Sequence, residues 1–133
     1  LTEALEGNPD AVLFALGTND LPQLRSEHLA EDIDLRIVTL QALAAQAQKA
    51  GAQVFVALIP PRFDRQGPPE ARELFNQAIR DNWSPQVILD FDSGFDASDF
   101  GPDGLHFNGI GHAKRAVRAA EFLQADPTTR KSS

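Results

Sequence analysis

Three short apolar runs, AVLFAL at 11–16, QVFVALI at 53–59 and QVILD at 86–90, alternate along this chain with stretches of helical periodicity. An unbroken apolar run of this length is what a strand covered on both faces looks like. Between the first two runs Leu29, Ile33, Ile37, Leu40, Ala44 and Ala47 recur at steps of three or four. That stripe predicts one helix over about Glu27–Ala50, with Ser26 as its N-cap and Gly51 as its stop. Ala71, Leu74, Phe75, Ala78 and Ile79 predict a second helix over 70–82 with those residues on one side, and Ile110, Ala113, Val117, Ala120 and Leu123 a third over 109–124 with those residues facing inward. Strand and helix in alternation imply an α/β fold of parallel strands joined by right-handed crossovers. In such a sheet the loops that follow strands emerge at one edge, where ligands bind. Residues 17–20, 60–62 and 91–108 are therefore expected to open onto one crevice.

At 133 residues the chain is long enough for one domain with a real core, expected over 1–124 and followed by a polar, frayed tail at 125–133. Its net charge of −7 counts against a nucleic-acid partner, because phosphate backbones are bound by clustered Lys and Arg. No apolar run approaches the roughly 20 residues of a membrane-spanning helix. With no cysteine there is neither a disulfide nor a thiolate nucleophile or zinc ligand. The chain has no methionine and opens on Leu1, with residues 1–6 reading as the last turn of a helix stopped by Gly7. Further sequence upstream is the expectation, a signal peptide being one form it could take.

Two short stretches carry chemistry. In PDGLHFNGIGH, Asp103 precedes His106 by three residues, close enough for the carboxylate to accept the Nδ1–H and leave the other ring nitrogen as a general base. Asn108 is placed to cap the following helix, and Gly109 and Gly111 to let backbone pass closely. In GTND at 17–20, the Asn19 amide is a neutral donor at the strand-ending edge, suited to an oxyanion. Each stretch alone reads equally as a turn: Asp-Gly with a surface histidine in one case, an Asx-turn in the other.

Together, PDAVLFALGTND and DGLHFNGIGH resemble two blocks of the SGNH hydrolases, the GDSL esterase and lipase family, in the family's order and on a matching frame; ALIPPR after the second strand has the same look. The resemblance spans about residues 8–124 and implies a three-layer, flavodoxin-like parallel sheet of strand order 2-1-3-4-5. It implies a serine ester hydrolase, acting on a small acyl ester without a cofactor or metal. His106 would be the general base, Asp103 its orienter and Asn19 an oxyanion donor, with Gly17, Thr18, Asp20 and Asn108 at the pocket edge. The family's nucleophile block, Gly-Asp-Ser, and its second block are not found here. The chain is similar to the C-terminal portion of such an enzyme, incomplete at its N-terminus, with the serine upstream and little or no activity by itself. Asp92-Ser93-Gly94 holds an Asp-Ser pair, but after the third strand instead of the first. Phe107 stands where the family often has proline, and His112 where an aromatic residue is common.

If the visible strands are the third to fifth, 11–16 becomes an apolar edge. Such an edge invites pairing, so it is expected to be covered by another chain or by the missing segment. Two other readings stay open. One is a non-catalytic relative that keeps the fold for binding or assembly. The other is a metal-dependent hydrolase using Asp90, Asp92, Asp96, Asp99 and Asp103 with His106 and His112, although the EF-hand template fails on this spacing. The substrate stays open among acyl esters, thioesters, lysophospholipids and acetylated sugars. Arg62 and Arg65 read as solvated loop residues that could instead meet an anionic group.

Overall fold

A computed structural model describes residues 5–15, 18–64 and 67–124, with the backbone alone at 18–20. Three parallel strands, β1 (Ala11–Phe14), β2 (Gln53–Ala57) and β3 (Ile88–Leu89), lie side by side in sequence order. Ala11 pairs with Gln53 and Phe14 with Val56, while Val56 pairs with Ile88 and Ala57 with Leu89. Helices α1 (Leu29–Lys49), α2 (Ala71–Asn82) and α3 (Gly109–Leu123) fill the crossovers and follow β3. This is the three-layer, flavodoxin-like α/β arrangement, with three of its strands present.

The alternation of side chains along β2 sorts the layers. Val54, Val56 and Leu58 face α1 and α2, where they join Phe14, Leu29, Ile33, Ile37, Leu40, Ala44, Ala47, Ala71, Phe75 and Ile79 in the main core. Phe55 and Ala57 face α3: Phe55 meets Phe122 edge-to-face at 5.6 Å, and Ala57, Leu89 and Phe91 pack with Ala119 and Phe122. The first-helix stripe is buried as its period predicts. Its start differs, because Ser26–His28 form a 3-10 turn and His28 stands at the N-cap without a side-chain bond. Gly51 ends the helix at φ 91°, where a side chain would be strained.

Two expectations about burial fail. Strand β1 is not covered on both faces: Phe14 is buried, but Leu13, on the α3 side, is 43% exposed, and Ala11 and Ala15 are exposed with it. The third-helix stripe is the larger reversal. Ile110 (66%), Val117 (56%), Leu123, Ala113 and Ala120 are exposed, while Gly111, Arg115, Arg118, Ala119 and Phe122 turn toward the sheet and its loops. Apolar period fixes that a helix has a stripe; which side docks is set here by cations on the opposite face. Leu74 of α2 lies at the margin of that helix's apolar side and is exposed.

The second helix also buries a polar residue. Asn76 is almost wholly inaccessible, and its amide clamps the Ile59 backbone, accepting from the N–H at 2.7 Å and donating to the C=O at 3.0 Å. This satisfies a buried peptide unit just past the end of β2, where the ladder can no longer do so. At the start of α1, Asp32 accepts from the Arg25 side chain at 2.7 and 3.1 Å and from its backbone N–H at 3.0 Å.

Asn76→Leu would leave the Ile59 N–H and C=O buried and unpaired, and is expected to cost on the order of 3 kcal/mol in urea denaturation. The Asp32 carboxyl is held down at about 2, from an ordinary 3.8, by its hydrogen bonds to Arg25. A depressed carboxyl contributes stability above its unfolded pKa and loses it as pH falls through the folded one. Thermal melts are therefore expected to show stability dropping between about pH 4 and pH 2, with part of that drop absent in Asp32→Asn.

Candidate active site

A cleft of about 250 Å³ opens at the carboxyl edge of the three strands. Ala15 after β1, Leu58, Ile59 and Pro60 at the end of β2, and Phe91 after β3 form its floor; Leu105, His106 and Phe107 form one wall, and His112 and Arg115 of α3 another. The expected convergence of strand-end loops is thus met by the 60 and 91–108 segments. At the first strand Ala15 takes part, and the next described residues, Thr18–Gln23, form a 3-10 helix. Gly17 and the side chains of Thr18, Asn19 and Asp20 lie outside the described residues.

The Asp103–His106 turn has the geometry its spacing allows. One carboxylate oxygen accepts the backbone N–H groups of Leu105 and His106 at 3.0 and 3.1 Å, and the other meets His106 Nδ1 at 2.5 Å. Gly104 makes the turn at φ 67°, and a Cβ there would strike the Phe63 backbone at 2.8 Å. The hydrogen bond to His106, with those two N–H groups, holds the Asp103 carboxyl well below the ordinary range. It is an ionised acceptor fixed on Nδ1, and Nε2 is the ring nitrogen left over.

Charge anchors the 91–108 loop to α3. Asp99, 1% exposed, accepts from the Lys114 ammonium at 2.7 Å and from the Asp96 N–H at 2.9 Å. Lys114 also donates to the Gly94 carbonyl, and Arg118 donates to the carbonyls of Asp90 and Ser93. The Asp99 carbonyl accepts from Asn108 N–H at 2.9 Å and lies so near Gly111 that a Cβ would come within 2.0 Å. Asn108 caps α3 as expected, accepting from Gly111 N–H at 2.9 Å, while its amide donates to the Ser98 and Phe100 carbonyls. It follows the lining residue Phe107 directly and is not itself among the residues that line the cleft. Gly111 carries the close backbone approach; nothing lies within 4 Å of a Cβ on Gly109.

This anchoring separates the carboxylates that suggested a metal. Asp90 accepts from the Asp92 and Ser93 N–H groups, Asp92 pairs with Arg72 at 2.5 Å, Asp96 caps Ser98, Asp99 holds Lys114 and Asp103 holds His106. Among the described residues no three of them converge on one point. Ser93 does not line the cleft, and its backbone N–H donates to Asp90 at 2.9 Å. Arg62 is not solvated: its side chain is 9% exposed and pairs with Asp64 at 2.6 Å. Arg65 lies outside the described residues. Arg115 and the cationic clamp of Lys114 and Arg118 went unforeseen because they occupy the face of α3 that its apolar period marks as solvated.

The parallel sheet with helices on both faces places the molecule among three-layer α/β proteins of flavodoxin-like type. The model of the GDSL-like Lipase/Acylhydrolase family matches residues 1–114, and the chain belongs to that family. Neither the curated proteins nor the solved structures contain a match to the chain. No helix among the described residues is long and apolar enough to cross a membrane.

The 2.5 Å contact fixes an outcome for nitrogen NMR. Neutral His106 is expected to carry its proton on Nδ1 in the wild type, and to revert to a mixture rich in the Nε2–H form in Asp103→Ala.

Proposed function

We propose that this cleft belongs to a serine ester hydrolase, with His106 as general base and Asp103 as its orienter. The Asp103–His106 contact at 2.5 Å, on a histidine that lines the cleft, is the observation that carries this reading. None of the described serines lines that cleft. Ser84 caps a 3-10 turn and Ser98 bonds Asp96. The nucleophile is assigned, from the family's Gly-Asp-Ser block that the chain does not contain, to a serine upstream of residue 1, and the chain alone is expected to be inactive.

In the complete site His106 Nε2 would take the serine proton as the oxygen attacks the ester carbonyl carbon. The resulting oxyanion would accept from the amide of Asn19. The imidazolium would return its proton to the departing alkoxide, and water activated by the same nitrogen would release the acid. Asp103, ionised and fixed on Nδ1, would stabilise the imidazolium in both halves. The segment that brings the serine also has a surface to cover, namely the outer edge of β1 and the exposed Leu13 beside it. A small acyl ester is the substrate class. Neither a nucleic-acid partner nor a cofactor has a role in this reading.

The second reading, a binding domain without catalysis, is favoured by the same lack of a serine in the cleft. A fluorophosphonate probe separates the two. The hydrolase reading expects one labelled serine in the complete protein, labelling lost in His106→Ala with hydrolysis down about 10³-fold or more, and no label on this chain. Absence of label on the complete protein would leave the binding domain; label on Ser93 would overturn the assignment of the nucleophile.

A further inference from the structure

The α3 wall of the cleft carries a cation that the ester reaction does not use. Arg115 projects from α3 between two aromatic rings, its guanidinium carbon 4.6 Å from the Phe91 ring centre and 5.3 Å from that of Phe107. Among the described residues no carboxylate or carbonyl engages it, whereas Arg25, Arg62, Arg72 and Arg118 are all taken up by oxygen partners. Burial alone lowers its pKa from the ordinary arginine value, with no nearby acid to offset the loss of water. An arginine keeps its charge even so.

The rest of the lining sharpens the point. In a chain of net charge −7, the described lining of the cleft consists of one arginine, two histidines and seven uncharged residues, with no acid among those described. A guanidinium fixed by aromatic faces keeps its N–H edge for a planar acceptor, the geometry that suits carboxylate and phosphate oxygens.

We infer that Arg115 selects esters bearing an oxyanion, a carboxylate or phosphate that docks on its guanidinium edge while the ester bond lies toward His106. This rests on the hydrolase reading and adds a substrate class to it. His112, on the same wall, is placed to contribute a second donor to the same oxyanion.

The test follows the Arg115 Nε–H resonance of this chain during titration with monomethyl succinate, with the acetate ester of 2-hydroxyethyl phosphate, and with neutral dimethyl succinate. A saturable shift with either anionic ester, and none with the neutral one, is expected; the ester that responds tells carboxylate from phosphate. Arg115→Met is expected to weaken that binding by about 10-fold or more, the worth of one charge-assisted hydrogen bond, with Arg115→Lys between the two. In the complete protein the anionic-to-neutral ratio of kcat/KM should fall by a similar factor in Arg115→Met, carried by KM. An equal response to the neutral diester, a silent Arg115 resonance, or undiminished binding by the methionine variant would overturn the inference. If the complete protein takes the fluorophosphonate and these results fail, the anion inference alone falls. If the probe fails and Arg115 responds, the hydrolase reading falls and the oxyanion site stands.

Discussion

The buried pairing of Asp99 with Lys114 holds the candidate site together. Removing a carboxylate from water is costly unless its oxygens are met. Here one of them, Oδ2, is met both by an ammonium from α3 and by a backbone N–H of the same loop. The pairing fixes a long stretch with little regular structure against a helix. The same aspartate then offers its carbonyl to Asn108, at the place where only Gly111 can come close. The Asp103–His106 turn sits in the span that these contacts enclose, so the histidine is aimed by a scaffold several residues away from it.

A second constraint works from the other side of the sheet. The Asn76 amide copies a peptide group, completing the hydrogen bonding of Ile59 where β2 has run out of neighbours. Leu58, Ile59 and Pro60 thereby become a firm floor for the cleft. Cleft geometry thus depends on two buried polar side chains, one on each side of the sheet, and on the rings of Phe95 and Phe100 that pack on Phe107 beside the histidine.

Much of the frame was legible from residue pattern. The three apolar runs became three parallel strands, and Leu29 to Ala47 became the buried stripe of α1, because those periods have one reading when a single sheet face needs covering. The Asp103–His106 contact was legible because three residues of turn leave the carboxylate little else to reach. The docking side of α3 was not. Its apolar stripe at Ile110, Val117 and Leu123 competes with a face bearing Lys114, Arg115 and Arg118, and the cations win because carbonyls, a buried carboxylate and aromatic rings await them. Those partners lie roughly 20 residues away along the chain, beyond any local periodicity. Asn76 was illegible for the same reason: its acceptor and donor belong to a different element.

The two faces of the sheet are held by different forces. On one side seventeen buried apolar residues form a continuous core with α1 and α2; on the other a smaller set, Phe55, Ala57, Leu89 and Phe91 with Phe95 and Phe100 of the loop, is joined by cationic clamps that hold α3. A layer with fewer buried apolar contacts opens at lower free energy than a larger apolar core. α3 and the 91–108 loop are therefore expected to detach before the α1–α2 layer and the strands. The histidine is mounted on that half, so in mild denaturant the cleft is expected to come apart first.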